Sequence, residues 1–269
     1  MIPNHIIDAF NIKEPITELL GGSQSVYKSE SIIIKRIYDD PGHSERSISL
    51  ALWLAEITNS IPLDEFRISQ SIQTVDGQWI NDGWMAWSYL DGETATQNNI
   101  PEIIKSIQNM HYALKDISKH PLLDKNDTAW GYAHYYCFNS MPNDVHPKLE
   151  KLVSKLYEKR KPIPDLKCQL IHGDLNLPNI IIAPDKPIGF IDFTPYWAPA
   201  DFALAMFANW VGPRVGNLDV LKHFQNIKHF DQLIVRAAIR MLLIVSRLKG
   251  IDRCDTEMKA AELVLSYVK

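Results

Sequence analysis

Along roughly the first third of the chain, apolar residues come in short runs rather than in helical stripes. Pro15–Leu20 and Ser25–Lys28 read as strands on either side of a small-residue turn, Gly21-Gly22-Ser23. Ser31–Ile37 is a run of β-branched residues that ends in charge, which predicts a buried strand. Phe66–Gln70, Ser71–Val75 and Trp84–Leu90 add further strands, and Asp76-Gly77 between Ser71–Val75 and Gln78–Ile80 predicts a hairpin. One helix interrupts them. After a Pro41-Gly42 turn, Ser44–Ile57 carries Ile48, Leu52 and Ala55 at helical spacing, with Ser44 placed to cap its start.

Past Asp91-Gly92 the period changes. Ile100–Ile117 repeats through Ile103, Ile104, Ile107, Met110 and Leu114, which predicts an amphipathic helix. Lys148–Tyr157, Ala200–Trp210, Leu218–Phe224, Gln232–Leu248 and Asp255–Val268 predict five more helices. Short strands are expected between them at Cys168–Ile171, Ile180–Ala183 and Ile188–Asp192. Strands gathered first and helices afterwards indicate an α+β fold rather than an alternating α/β one. The expected division is residues 1–90 and residues 91–269, with no internal repeat.

Composition narrows the picture by exclusion. The chain is 46% hydrophobic and 22% charged, enough apolar surface for a core and not the profile of a disordered chain. A net charge of −4 gives no reason to expect a nucleic-acid partner. Cys137, Cys168 and Cys254 are odd in number and widely spaced, so they suggest reduced thiols rather than disulfides or a zinc site. Met1–His5 lacks the basic and apolar regions of a signal peptide. The longest apolar helical stretch, Leu233–Leu248, is broken by Arg236, Arg240 and Arg247, which argues against a membrane span. The expectation is a cytoplasmic protein with no membrane partner, as a monomer or homodimer.

The chemistry concentrates in His172-Gly173-Asp174-Leu175-Asn176-Leu177-Pro178-Asn179 and in Ile191-Asp192-Phe193. Phosphoryl transfer needs a carboxylate near the attacking hydroxyl and hard oxygen ligands that hold magnesium against phosphates. The Asp174–Asn179 spacing reproduces the catalytic loop H-R-D-L-x-x-x-N of protein kinases. Asp174 takes the place of the base, Asn179 that of one metal ligand, and Asp192, on the following hairpin, that of the other. Gly173 replaces the loop arginine and Thr194 the glycine of D-F-G, and no A-P-E segment follows. Separately, Lys35 lies inside an apolar strand, where an unpaired ammonium is costly and calls for an anion.

H-G-D-x-x-x-x-N followed by I-D-F resembles the aminoglycoside phosphotransferase and choline kinase group of small-molecule kinases. Leu20–Tyr27 looks like that group's phosphate-covering hairpin, Ile32-Ile33-Ile34-Lys35 like its lysine strand, and Tyr89-Leu90-Asp91-Gly92 like the segment after its hinge. Ile107–Leu114, with His111, looks like its long helix at the lobe boundary. The last sixty or so residues match only in being helical. The resemblance implies a two-lobed protein-kinase-like fold, with a small β-rich N-lobe and a larger helical C-lobe. It implies ATP or GTP as co-substrate, Mg2+ as cofactor and a small-molecule hydroxyl as phosphate acceptor.

The same resemblance distributes roles. Lys35 would contact the nucleotide's α and β phosphates, and of the two acidic residues Glu45 and Glu56 on the first helix, Glu45 would pair with it. Gly22 and Ser23 would cover the phosphates, while Trp87 and Tyr89 would pass the base. Asp201 matches an aspartate that braces the catalytic loop. After Trp197 basic residues outnumber acidic ones, which argues against a polycationic acceptor. The aromatic segment Trp130–Phe138 is a candidate acceptor lid. Two other readings remain: an aminoglycoside or macrolide phosphotransferase, and a nucleotide-binding protein without catalysis. The joint presence of Lys35, Asp174, Asn179 and Asp192 speaks against the latter, since a binder needs no base.

Overall fold

The structure is a computed structural model of the 269-residue chain and describes residues 1–19, 25–37, 44–124, 127–248 and 254–268. The expected α+β architecture is present. The chain divides into two compact units, Met1–Thr94 with Ile180–Asp192, and Ala95–Asn179 with Phe193–Lys269.

In the first unit a five-stranded antiparallel sheet has the order β1 (Ile16–Leu19), β2 (Val26–Ser29), β3 (Ile32–Arg36), β6 (Trp84–Ser88), β5 (Ser71–Ile72). The β-branched run of β3 suits a central strand, and its register sets Lys35 opposite Val26 on one side and Met85 on the other. A short helix α1 (Asn4–Ala9) covers the sheet, burying Ile2, Ile6 and Phe10 against Tyr27, Ile34, Trp84 and Ala86. Burying Ile6 and Ile34 contributes roughly 1.5–3 kcal/mol each. Six residues are too few to display a helical period, which is why α1 is not legible from the sequence. Helix α2 (Ser44–Ser60) is tied to the sheet by polar bonds, with the Gln70 amide donating to Thr58 O (3.0 Å) and that of Asn59 to Ser71 O (3.2 Å).

A second sheet of the same unit has the order β4 (Arg67–Ile68), β10 (Gly189–Phe190), β9 (Ile180–Ile182), β7 (Glu93–Thr94). It joins strands far apart in sequence, with β4 and β10 running parallel. Two groups of contacts fix the β9–β10 hairpin. The Arg67 guanidinium donates to Pro187 O (2.8 Å), and Asp91 accepts from Lys186 (2.7 Å) and Arg67 (3.3 Å). Gly92 passes β9 so closely that a Cβ there would stand 2.3 Å from the Ile182 oxygen, and its φ of +133° suits glycine. The turn at Asp76-Gly77 forms, but Gln78–Ile80 builds no strand. The Thr74 hydroxyl accepts the Gln78 N–H (2.9 Å), and this local closure takes the place of a ladder.

The second unit is helical. Its core helix α7 (Phe230–Arg247) packs against α4 (Ala129–Tyr136), α5 (Pro147–Lys159), α6 (Ala200–Val211) and α8 (Asp255–Tyr267). Helix α3 (Ile100–Ala113) also packs on α6. A Thr96/Asn99 capping box precedes α3, Pro101 sits in its first turn, and it buries the stripe Ile100, Ile103, Ile107, Met110. The expected helix at Leu218–Phe224 is a 3-10 helix, Asp219–Phe224. Its period of three stacks Leu221 and Phe224 on one face, and both are fully buried. Helix α4 starts at Thr128, whose hydroxyl accepts the Gly131 N–H (3.0 Å). Strands β8 (Gln169–His172) and β11 (Pro195–Ala198) form an antiparallel pair, with His172 opposite Pro195.

Candidate active site

The segment His172–Asn179 leaves β8 and stays within the second unit. Asp174 is exposed, whereas its neighbours His172, Gly173 and Leu175 are buried. Asparagine amides hold Asp174. Asn179 Nδ2 donates to its backbone oxygen (2.9 Å) and to its carboxylate Oδ2 (3.2 Å). Asn176 Nδ2 approaches Oδ1 at 3.4 Å, and Asn176 Oδ1 accepts the Asn179 N–H (3.1 Å). Asp174 and Asn179 are therefore brought together, and Asn176, which motif matching passes over, links them. Its signal was its spacing: an Asx residue two after Asp174 and three before Asn179 can close a local turn.

His172 is framework. Its Nδ1 accepts the backbone N–H of Asp174 (3.3 Å) and of Thr194 (3.4 Å), and its ring stacks on Phe193 at 4.8 Å. One imidazole thus holds both Asp174 and the residue two places after Asp192. Gly173 is required by packing, since a Cβ would stand 1.8 Å from the Tyr196 ring. From behind, Arg240 of α7 lies over the Tyr196 ring (5.0 Å), and its Nη2 approaches Gly173 O at 3.4 Å. Arg240 is 5% exposed and forms no ion pair among the described residues. The Asp201 side chain, in the first turn of α6, makes no hydrogen bond or ion pair among the described residues, and burial raises its pKa. The bracing of the loop seen here comes from His172, Arg240 and His111. The His111 Nε2 accepts the His172 N–H (3.2 Å).

The first unit places Lys35 and Asp192 together. Lys35 Nζ stands 2.6 Å from Asp192 Oδ1 and 5.4 Å from the centre of the Trp87 ring. The anion that Lys35 calls for is thus supplied, in this structure, by Asp192. The Asp192 backbone is left-handed at φ +54°, a conformation that aspartate tolerates better than most residues and that recurs at functional sites. Tyr89 stands apart from this group, its ring taking the Lys28 ammonium at 3.5 Å. Glu56 is exposed on α2. Gly22 and Ser23 lie outside the described residues, as does the side chain of Glu45.

Asp192, in the first unit, and Asn179, in the second, each carry a hard side-chain oxygen, and among the described residues no three His, Cys, Asp or Glu side chains cluster as a closed cage. Magnesium is commonly bound through one or two carboxylates plus the phosphates of a nucleotide, and an exposed carboxylate such as Asp192 is a donor of the type it takes. Of the aromatics on α4, Tyr132 is buried and bonds Asp144, while Trp130 and Tyr135 are about half exposed (48% and 46%). No helix of the described residues is long and apolar enough to cross a membrane.

The fold is that of kinase-like phosphotransferases. An amicoumacin kinase, solved with AMP-PNP, Ca2+ and its substrate, superposes with a TM-score of 0.62 at 14% identity, over 98% of this chain and 92% of that one. A spectinomycin phosphotransferase, solved with ADP and spectinomycin, gives 0.55 at 15% identity, over 98% and 95%. A choline kinase from Streptococcus pneumoniae gives 0.58 at 12% identity, over 98% and 97%. A comparison with curated protein sequences finds no match. The profile of the phosphotransferase enzyme family matches residues 50–226, and the chain belongs to that family. It is a small-molecule kinase by class, as the resemblance of its motifs implied.

Proposed function

We propose that this chain moves the γ-phosphoryl group of ATP or GTP to a hydroxyl of a small molecule. Residues 1–90 serve as the nucleotide-binding lobe and residues 91–269 as the catalytic and acceptor-binding lobe. The observation that carries this reading is the Asp174 carboxylate, exposed at the centre of a loop that asparagine amides and a buried imidazole hold in place. Asp174 orients the acceptor hydroxyl and takes its proton as the new oxygen–phosphorus bond forms. The bond from the γ-phosphorus to its bridging oxygen breaks, and a nucleoside diphosphate leaves.

Lys35 exchanges Asp192 for the α and β phosphates of the nucleotide. Trp87 and Tyr89 flank the base, Gly22 and Ser23 cover the phosphates, and Glu45 orients Lys35. Asn179 and Asp192 hold Mg2+, which when bound neutralises phosphate charge. Tyr135 and Trp130, exposed on α4, are acceptor contacts in this reading.

An antibiotic acceptor is the second reading, favoured by the likeness to kinases of amicoumacin and spectinomycin. The basic excess after Trp197 speaks against a polycationic one. One experiment addresses both. The protein is incubated with ATP or GTP, Mg2+ and a panel of hydroxyl-bearing metabolites, aminoglycosides and macrolides, and products are identified by mass spectrometry. The Asp174→Asn variant should bind nucleotide normally yet turn over about 10²–10⁴-fold more slowly. Full turnover in that variant would overturn the base assignment.

A further inference from the structure

Arg247 stands in the last turn of α7, in the same helix as Arg240 and beyond it in sequence. The spacing makes about two turns, so the two arginines share nearly one face of α7, about 10.5 Å apart along its axis. Arg240 is buried and meets Gly173 O, next to Asp174, whereas the Arg247 side chain is 43% exposed. The Arg247 guanidinium lies 4.0 Å over the ring of Tyr132 on α4, and its Nη1 donates to Asp144 Oδ2 at 2.9 Å. The Tyr132 hydroxyl donates to Asp144 Oδ1. Burial and that carboxylate raise the pKa of the hydroxyl, so it stays a donor. The backbone N–H of His146 donates to the Ser246 hydroxyl at 2.8 Å, which ties the segment of Asp144 to the last turn of α7. The group is uneven. Each Asp144 oxygen already has a donor, while Nε and Nη2 of Arg247 have no hydrogen-bond partner among the described residues.

We infer that Arg247 is a specificity-determining residue of the acceptor site, and that it selects a hydroxyl-bearing acceptor with an oxyanion, either a carboxylate or a phosphate. The idle edge of its guanidinium presents N–H donors side by side, the geometry that carboxylate and phosphate oxygens accept in pairs. The Tyr132 ring and Asp144 hold the guanidinium, so the edge is oriented before a ligand arrives. A cationic acceptor meets the opposite: a carboxylate already served by its own neighbours, with a positive charge beside it. Two turns of α7 separate Arg247 from the level of Gly173, a span on the scale of a sugar acid or a sugar phosphate. The inference rests on reading Asp174 as the base that receives the acceptor hydroxyl.

The test has a kinetic and a binding arm. Sugar phosphates, sugar acids, neutral sugars and amino sugars are offered as matched sets with ATP or GTP and Mg2+, and phosphate transfer is followed. Transfer should favour a member that carries an oxyanion, and the better of acid and phosphate identifies which. Arg247→Met should raise the KM of that acceptor at least about tenfold with the nucleotide KM unchanged, and Arg247→Lys should recover part of the loss. Asp144→Asn removes a competing charge and should lower the same KM about two- to fivefold. A merely structural pair would instead make both variants lose alike. Preference for the neutral or amino sugar, or an acceptor KM unchanged in Arg247→Met, would overturn the inference. The binding arm needs no turnover. In protein labelled with ¹⁵N at arginine, the Arg247 Nε–H resonance, assigned by its absence in Arg247→Met, should shift saturably on titration with inorganic phosphate. No saturable shift would overturn the oxyanion site even if no panel member is phosphorylated. Asp174→Asn should lose turnover and keep that shift. Full activity in Asp174→Asn would sink the base assignment and leave the Arg247 titration standing.

Discussion

Lys35 and Asp192 meet at 2.6 Å although 157 residues separate them in sequence. The contact joins β3 to the end of the β9–β10 hairpin inside one compact unit. Both groups remain accessible, with side-chain exposures of 28% and 55%, so their attraction is screened and worth little to the fold. Their value lies in being charged and exchangeable. Lys35→Met should therefore leave the melting temperature nearly unchanged, with a stability loss within about 1 kcal/mol. It should raise the nucleotide KM and cut kcat/KM at least about tenfold, since a phosphate contact of ionised groups is lost. Steady-state kinetics beside a thermal melt decides it. A large loss of stability with unchanged kinetics would make the pair purely structural.

Gly173, the residue after β8, packs closely against the ring of Tyr196 on β11. Gly173→Ala drives a methyl to 1.8 Å from a ring carbon, and the ring cannot yield freely because His134 lies 4.5 Å from it and Arg240 lies 5.0 Å away. Overpacking of this kind typically costs 1–3 kcal/mol, here about that range. Asp174 is the next residue, so turnover should fall as well. Pairing Gly173→Ala with Tyr196→Ala removes the clash, and the double variant should be more active than Gly173→Ala alone. Additive losses in that cycle would show that the two residues do not interact.

The candidate site residues stand out in the sequence more readily than the contacts that hold them. Asp174, Asn179, Asp192 and Lys35 stand in a fixed order with fixed spacings, and the structure brings them together as two pairs. The long helices were legible because their apolar stripes persist over several turns, as in Ile100–Ala113. What escaped depends on contacts between distant segments. The two-residue strands β4 and β10 carry no period, and their parallel pairing joins Arg67 to Gly189. The strand β11 hides in Pro195–Ala198, where only pairing with β8 makes it one. In the sequence Arg240 only interrupts an apolar stretch, yet it is buried behind the loop that carries Asp174. Asn176 was in plain view inside the motif, but its role follows from an amide geometry that spacing alone does not reveal.

Arg240 gives a prediction of unusual sign. A buried cation is usually destabilising to remove because its partner is left charged in a dry site. Among the described residues Arg240 has no such partner. Its contacts are a carbonyl and a ring, and its Nε has no acceptor. Arg240→Met, similar in length and apolar, should therefore cost little stability or even raise the melting temperature. The same change releases Gly173 O, so kcat should fall while the fold is retained. Loss of stability by several kcal/mol would mean that the guanidinium has an ionic partner in solution.

Two buried imidazoles make stability depend on pH. Burial, with the nearby His172, lowers the pKa of His111 to about 3, and burial with the Arg240 charge does the same for His134. In the unfolded chain both titrate near 6.5. Between about pH 6.5 and 3 the unfolded state therefore binds more protons than the folded one, and stability falls as pH falls. Above about pH 6.5 both states are neutral at these sites and the contribution is complete. Each histidine adds a slope of up to about 1.4 kcal/mol per pH unit within the window. Asp201 works in the opposite direction, because burial raises its pKa and the folded state takes up that proton before the unfolded one as pH falls. The melting temperature should be flat from pH 8 to 7 and decline from pH 6.5 to 5. His111→Gln should start from a lower value and decline less steeply over the same range. A wild-type profile that stays flat down to pH 5 would show that these rings are charged, or solvated, in the folded protein.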